Sequence, residues 1–199
     1  GANIMRRKES VLLTGATSGI GLAIAKILCE NGHTVFGLSR SGVCPTFSHN
    51  LYHLFAMDVC DDTSVEKTIP LVQQRAKELN SVGITTLIHC AGYGIAGSAE
   101  DTPIAKVKEQ FETNYFGVLR VNSIALPLLD KSSPVKVIVL GSIAGRISIP
   151  YQSHYSSTKF ALEAYIEALK IEGRQFNIQA SILAATGRKV MSILCAATW

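Results

Sequence analysis

Short apolar runs alternate with longer amphipathic stretches along most of the chain. The apolar runs predict strands at 10–14, 33–39, 51–58, 85–91, 135–141 and 178–183. Apolar residues at helical spacing predict helices within 20–30, 63–79, 104–129 and 151–175. The run at 135–141 is apolar almost throughout, which is typical of a parallel strand buried on both faces.

The alternation of strands and helices predicts a single α/β domain. Parallel strands joined by right-handed helical crossovers form a doubly wound, Rossmann-type sheet with helices on both faces. We assign 10–183 to this domain, 1–9 to an N-terminal extension and 184–199 to an altered or truncated C-terminal segment. Ligands bind such sheets beyond the carboxyl ends of the strands, so the residues that come directly after each strand are the first candidates for chemistry.

Two residues disturb the predicted helices. Pro70 lies within 63–79 and predicts an interruption or a kink. Asn114 lies within 104–129, where one long helix is otherwise expected. Asparagine is unfavourable in a helix interior, so its presence calls for a reason such as a kink or a bound water.

Composition narrows the class of protein. Of 199 residues, 47% are hydrophobic and 17% charged, as in a packed globular domain. The net charge is only +4 and no basic run is longer than 6–8, so we expect no nucleic-acid partner. The five cysteines form no metal-ligand spacing and suit reduced thiols, so no metal site is expected. Without a bilayer-length apolar run or a signal-peptide pattern, we expect a cytoplasmic protein with no membrane partner.

The first predicted strand runs into the glycine-rich loop GATSGIG at 15–21. Glycines let such a turn bend and let backbone N–H groups approach a pyrophosphate, while the following helix offers its positive N-terminus. A tight turn without a ligand has the same composition. The strand before the loop and the helix after it favour a nucleotide site.

The next two strands end in residues that suit the rest of a dinucleotide. Ser39 and Arg40 lie at the end of the second strand, where an NAD site would carry an acid for the ribose 2′-hydroxyl. A guanidinium suits a 2′-phosphate instead, which favours NADP over NAD, although a surface arginine is the simpler alternative. Asp58, which precedes Val59, either caps the next segment of the chain or accepts a hydrogen bond from the adenine amino group.

The fourth strand runs into His89, Cys90, Ala91 and Gly92. We expect a satisfied core histidine at 89. We expect Cys90 to be a small buried hydrophobe rather than a nucleophile, because no base partner is implied. The small side chains of Ala91 and Gly92 would let the chain pass close to a bound ribose.

The fifth strand ends at Ser142, and Tyr155 and Lys159 lie beyond it on a predicted helix. Residues four apart share one helix face. A half-buried tyrosine beside a snorkelling lysine and a proton-transfer pair both have this pattern, and the pair alone does not separate them.

Taken together, these motifs resemble the short-chain dehydrogenase/reductase family. The loop at 14–21, Asp58-Val59, Ala91-Gly92, Asn114, Ser142 and Tyr155-xxx-Lys159 occur in the family's order and at its spacings, across about 10–183. The stretches at 109–121 and 142–165 resemble the branch that includes 17β-hydroxysteroid-dehydrogenase-like enzymes.

The resemblance implies a role for each matching residue. Tyr155 matches the catalytic acid/base, and Lys159 the lysine that holds the nicotinamide ribose and assists the tyrosine. Ser142 matches the serine that hydrogen-bonds the substrate oxygen, and Asn114 the residue that holds a water for proton relay. The predicted cofactor-binding residues are Gly15, Thr17, Ser18, Gly19, Ile20, Gly21, Ser39, Arg40, Asp58, Val59, Ala91, Gly92, Tyr155 and Lys159.

The implied reaction is hydride transfer between NADP(H) and a small-molecule carbonyl or secondary alcohol, with NAD less favoured. The resemblance also implies a homodimer or homotetramer formed through the helices around 104–129 and 152–174.

The chain departs from the family in three places. It has HCAG at 89–92 where the family has NNAG, and no Pro-Gly turn comes after the strand at 178–183. The family usually continues through a substrate-covering loop, a helix and a seventh strand, where this chain has only 188–199 with apolar helical spacing. These departures support a second hypothesis, a catalytically weak or inactive nucleotide-binding module that acts as a sensor or dimerisation partner.

Overall fold

The computed structural model describes residues 8–184, and its strands form one six-stranded sheet in the order β3-β2-β1-β4-β5-β6. All neighbouring strands are parallel. The strands are β1 (Ser10–Thr14), β2 (Thr34–Ser39), β3 (Tyr52–Ala56), β4 (Thr86–His89), β5 (Val135–Gly141) and β6 (Ile178–Ala184). The predicted doubly wound sheet is confirmed, and the predicted segment at 188–199 lies outside the described residues.

Five α-helices connect the strands. They are α1 (Gly19–Glu30), α2 (Asp62–Asn80), α3 (Ile104–Phe111), α4 (Gly117–Leu128) and α5 (Ser153–Glu172). Short 3₁₀ turns at Ile143–Gly145 and Gly173–Phe176 flank α5. No helix within 8–184 has both the length and the apolar character needed to cross a bilayer.

The predicted interruption at Pro70 is wrong, because α2 continues through it. Pro70 lies on the exposed face of α2, where water can bond the carbonyl that loses its helical donor. On the opposite face Ile69 and Val72 are buried in the core, and this packing holds the helix together.

The segment at 104–129 is not one helix. A single π-helical turn, Glu112–Phe116, separates α3 from α4, and we call it the π-turn. Asn114 lies in its centre and is buried. The unfavourable asparagine therefore marks a true irregularity, of a kind that often occurs at functional sites.

The sheet is buried on both faces, which explains its apolar strands. On β1, Leu12 packs into the layer formed with α2, α4 and α5, whereas Val11 and Leu13 pack into the layer formed with α1. Each fully buried side chain of this kind contributes about 1.5–3 kcal/mol. The two layers hold the strand ends in a fixed arrangement.

A closed polar cluster lies at the amino ends of the strands, and we call it the basal cluster: Glu9, His33, Thr85, Thr86 and Lys136. The Glu9 carboxylate accepts hydrogen bonds from the Thr85 hydroxyl at 2.5 Å, the Thr86 hydroxyl at 3.2 Å and the Lys136 ammonium at 3.0 Å. The Glu9 backbone N–H donates to His33 Nδ1 at 3.0 Å. Glu9, assigned to the N-terminal extension, is thus bound to the core of the sheet.

Candidate active site

A cavity of about 910 Å³ opens at the carboxyl ends of the strands. Every predicted cofactor-binding residue and three of the four predicted catalytic residues lie on its wall. They are Gly15, Thr17, Ser18, Gly19, Ile20, Gly21, Ser39, Arg40, Asp58, Val59, Ala91, Gly92, Ser142, Tyr155 and Lys159. The exception is Asn114, which lies behind the wall with 1% of its surface exposed.

At Gly15 and Gly21 the glycine loop packs so closely that no side chain fits. Gly15 has φ +66°, and a Cβ atom there would lie 2.8 Å from the Ala91 backbone nitrogen. A Cβ at Gly21 would overlap the Gly15 carbonyl oxygen. Ser18, at the N-cap position of α1, makes no side-chain cap, so the first N–H groups of the helix face the cavity region without a side-chain acceptor. This is the cradle that a pyrophosphate requires.

The end of β2 presents hydroxyls and a cation to the same cavity. The Ser39 hydroxyl accepts a hydrogen bond from the Gly42 N–H at 3.0 Å. Arg40 is exposed and forms no salt bridge with any residue in 8–184. Ser41, which the sequence analysis missed, also lines the cavity. The guanidinium is therefore uncommitted and able to bind a phosphate.

Asp58 holds the turn that comes before α2, whose N-cap residue is Asp61. The Asp58 Oδ1 accepts a hydrogen bond from the Cys60 N–H at 2.9 Å, and its own N–H donates to the Ser64 hydroxyl at 3.0 Å. Asp58 also lines the cavity with Val59. The bond from the Cys60 N–H closes a turn rather than capping a helix, so the helix-cap interpretation is wrong, and the adenine interpretation stays a prediction.

The end of β5 and the start of α5 bring Ser142, Tyr155 and Lys159 to one side of the cavity. The Ser142 oxygen accepts a hydrogen bond from the Ala144 N–H at 3.2 Å, which leaves its own O–H free to donate. Lys159 Nζ donates to the Leu140 carbonyl oxygen at 2.8 Å and lies 5.6 Å from the centre of the Tyr155 ring. Burial lowers the pKa of Lys159 to about 8, since desolvation disfavours the ammonium.

Asn114 holds the backbone that continues from β4. Its Oδ1 accepts a hydrogen bond from the Tyr93 N–H at 2.9 Å, and its Nδ2 donates to the Tyr93 carbonyl at 2.8 Å and to the Thr158 hydroxyl at 3.1 Å. Both amide hydrogens are therefore used within the protein. The predicted water would need the remaining Oδ1 lone pair or a backbone carbonyl of the π-turn.

Of the two residues that replace the family's asparagines, His89 is buried and Cys90 is half-buried at the cavity wall. His89 Nε2 lies 2.8 Å from Asn122 Oδ1, and burial lowers the pKa of His89 to about 4. It is the satisfied core histidine that was predicted. Burial raises the pKa of the Cys90 thiol to about 12, which agrees with an unreactive, apolar role. The Thr14 hydroxyl accepts hydrogen bonds from the Cys90 and Ala91 N–H groups, both at 3.2 Å, and so holds this part of the chain.

Several cavity residues were missed by the sequence analysis. Tyr93 and Gly94 come directly after the Ala91-Gly92 pair, and a Cβ atom added at Gly94 would lie 3.5 Å from the Tyr155 ring. Cys60, Thr113 and Leu140 adjoin predicted residues but carry no motif of their own. Tyr151, just before α5, is 70% exposed, with φ +61°.

Comparison with known proteins identifies the family. A family model described as short chain dehydrogenase matches residues 9–190. The probable short-chain type dehydrogenase/reductase VdlC of Helicobacter pylori is 39% identical over 173 residues, covering 86% of this chain and 62% of VdlC. The 3-ketodihydrosphingosine reductase of Bacteroides thetaiotaomicron is 37% identical over 175 residues, with 88% and 62% covered. The chain thus spans less than two thirds of the length of these relatives.

Solved structures share the fold. A short-chain dehydrogenase from Streptomyces avermitilis has a TM-score of 0.81 and 27% identity over 89% of this chain and 65% of its own. A Burkholderia cenocepacia short chain dehydrogenase in complex with NADP has a TM-score of 0.79 and 24% identity, with 89% and 72% covered. The NADH-dependent reductase A1-R′ complexed with NAD has a TM-score of 0.78 and 24% identity, with 92% and 81% covered. With its parallel sheet, its strand-end cavity and the family match over most of its length, the chain belongs to the short-chain dehydrogenase/reductase family.

Proposed function

We propose that this chain is the cofactor-binding and catalytic part of an NADP(H)-dependent oxidoreductase. The substrate would be a small-molecule carbonyl or secondary alcohol, with Tyr155 as general acid/base. The supporting observation is that one cavity carries both the glycine loop and the set Ser142, Tyr155 and Lys159. A binding module without catalysis would not need that set.

The residues present fit a dinucleotide. The glycine loop and the N-terminus of α1 would hold the pyrophosphate, since Gly15 and Gly21 let the loop pack tightly beside the cavity and no side chain caps the first N–H groups of the helix. Asp58 and Val59 would face the adenine, and Lys159 the nicotinamide ribose. Arg40 favours NADP, because a free guanidinium binds a 2′-phosphate in bidentate fashion and the end of β2 carries no acid.

The bound nicotinamide supplies or accepts the hydride, and the protein handles the proton. In the reductive direction the Tyr155 phenol would donate its proton to the developing alkoxide. The Ser142 O–H, left free by the Ala144 contact, would donate a hydrogen bond to the same oxygen. The Lys159 ammonium beside the ring would stabilise the phenolate that forms.

Replacing Tyr155 by Phe tests this function. We expect Tyr155→Phe to lower kcat by about 10²–10⁴-fold, the usual worth of general acid–base catalysis, without a matching loss of NADPH affinity. Turnover is followed by the loss of NADPH absorbance with a panel of carbonyl compounds. Tyr151→Phe is the matched control, because Tyr151 is exposed and has no lysine at i+4.

Equal turnover in Tyr155→Phe and the parent would show that Tyr155 has no catalytic role. NADPH binding without turnover of any carbonyl, in parent and variant alike, would support the binding-module hypothesis instead.

The proposed active form is a homodimer or homotetramer. Ile104 on α3, Phe116 on the π-turn and Phe160 on α5 are exposed apolar side chains, on the helices expected to form the contact. Size-exclusion chromatography with light scattering measures the assembly directly, and a monomer at all concentrations would contradict it.

A further inference from the structure

Arg120, on the first turn of α4, binds two walls of the cavity without lining it. Its side chain is 18% exposed. The guanidinium donates from Nη1 to the Val59 carbonyl oxygen at 2.6 Å, from Nε to Asp62 and from Nη2 to Glu112. All three nitrogens are engaged, so the planar group is held in one orientation.

Two of the three partners of Arg120, Val59 and Glu112, belong to segments that meet at the cavity. One is the adenine wall, which we define as 58–60 and which the proposed function places against the adenine. The other is the π-turn, which begins at Glu112. Thr113 of the π-turn lines the cavity, and its neighbour Asn114 holds the Tyr93 backbone. The Arg120 guanidinium therefore lies between the adenine end of the site and the segment that supports its catalytic end.

Two further observations show that the adenine wall packs tightly against the π-turn and α4. The Cys60 sulfur lies 3.2 Å from the Thr113 hydroxyl oxygen. A Cβ atom at Gly117 would lie 2.9 Å from Val59 Cγ2, so α4 already packs closely on the adenine wall. Packed interfaces of this kind transmit a displacement rather than absorb it.

We propose that Arg120 is a positioning residue of the cofactor site. The proposal rests on the proposed function: Arg120 fixes the adenine wall against the π-turn, so that the two ends of the bound dinucleotide keep one spacing. The Val59 carbonyl is the essential partner. Asp62 contributes less, because its side chain is 76% exposed and water competes for it.

The variant Arg120→Met keeps the length of the stem and removes the donors. We expect the Kd for NADPH to rise about tenfold, within the usual range of coupling between linked sites. The KM for NADPH should rise more than kcat falls. Amide hydrogen exchange should become faster in both 58–60 and 112–116, a readout that needs no cofactor. Arg120→Lys, which can still reach one acceptor, should recover part of the affinity.

Asp62→Asn is the matched control, because it removes the exposed ion pair and leaves the Val59 contact. We expect its NADPH affinity to stay within about twofold of the parent. An equal loss in Asp62→Asn and Arg120→Met would overturn the proposal, because a surface charge would then account for the effect.

Two other results are decisive. Unchanged NADPH affinity in Arg120→Met, at a temperature where circular dichroism shows both proteins folded, would overturn the positioning role and leave the proposed function intact. A parent chain that binds neither NADPH nor NADH would overturn the proposed function, and the positioning role with it.

Discussion

Polar residues gather at both the amino ends and the carboxyl ends of the strands, but they bind different groups. We call the amino ends, with the basal cluster, the closed end, and the carboxyl ends, with the cavity, the open end. In the basal cluster the Glu9 carboxylate accepts hydrogen bonds from Thr85, Thr86 and Lys136. At the carboxyl ends of the strands, Lys159 bonds one carbonyl and Arg40 forms no salt bridge within 8–184. Polar groups that satisfy one another stabilise a fold, whereas groups left open at a cavity are available to a ligand.

Burial shifts the pKa of a charged residue at each end of the strands, with different results. Burial alone would raise the pKa of Glu9, but hydrogen bonds from Thr85 and Lys136 outweigh it and hold the pKa below its ordinary value. Among residues 8–184 Lys159 has no carboxylate partner of that kind, and burial lowers its pKa to about 8. The hydrogen bonds at the closed end therefore stabilise the charged form of Glu9. At the open end the desolvation of Lys159 is not offset, and its charged form is destabilised.

The largest expected effect is at the glycine loop of the open end. Gly21→Ala places a Cβ on the Gly15 carbonyl oxygen, so the loop must move away from its cradle. We expect NADPH binding to weaken by about 100-fold or more, because small misplacements at such sites are costly. Fluorescence titration gives the Kd, and circular dichroism confirms folding.

Gly32→Ala, on the turn after α1, is a control for strain alone, since its φ is +81° and it lies off the cavity wall. Tight binding by folded Gly21→Ala would mean that the loop holds no pyrophosphate.

A substitution at Arg40 tests whether its guanidinium makes the site prefer NADPH to NADH. Removing a charge-assisted bond worth about 1.5–3 kcal/mol should weaken NADPH binding roughly 10- to 100-fold in Arg40→Ala. NADH affinity should change less than about twofold, because NADH has no 2′-phosphate. Calorimetric titration of both cofactors measures the difference, and Arg174→Ala, at an exposed arginine near the end of α5, is the control. Equal losses for both cofactors would remove the 2′-phosphate assignment.

The pH dependence tests the buried ammonium at the open end. The lowered pKa of Lys159 means that its charge is lost as pH rises through about 8. The proposed mechanism needs that charge to stabilise the phenolate. We expect kcat/KM for carbonyl reduction in the free enzyme to fall above about pH 8, approaching tenfold per pH unit. A profile that stays flat to about pH 10 would show that the charge of Lys159 is not required.

The smallest expected effect is at the closed end and concerns stability alone. Glu9→Gln should lower the free energy of unfolding by about 1–2 kcal/mol at neutral pH, because it weakens the charged bonds to Lys136 and Thr85. The folded-state pKa of Glu9 is lowered, so its contribution is present above the ordinary value and is lost as pH falls through the folded pKa.

Urea unfolding of parent and Glu9→Gln at neutral and acidic pH measures this difference. We expect the gap to close in acid and the NADPH affinity to be unchanged at neutral pH. A difference that persists in acid would show that the cost comes from packing rather than charge.

Two helix irregularities show where prediction from the sequence ends. Pro70 and Asn114 are both unfavourable within helices, and the sequence predicts a disturbance at each. Only Asn114 breaks its helix, because its side chain binds the Tyr93 backbone and Thr158 inside the core. Pro70 lies on an exposed face with buried neighbours, and α2 passes through it. The outcome depends on partners that local sequence does not name.

The order of the elements and the predicted part of the cavity wall follow from the sequence alone. Apolar periodicity is a local property, and right-handed crossovers bring the ends of parallel strands to one edge. Once the strands are placed, the loop at 15–21, Arg40, Asp58, Ser142 and Tyr155 must therefore meet. These residues could be named before the structure was known, whereas Ser41, Tyr93 and Gly94 on the same wall could not.

Only the tertiary structure decided which other polar residues act together. Glu9 pairs with Lys136 across 127 positions, and Arg120 bonds Val59 and Asp62 from about 60 residues away. Such pairs leave no periodic or motif signal, because packing of distant segments brings them together rather than any local conformational preference. The sequence therefore determined where a ligand could bind, and the packing of distant segments decided what holds that site in shape.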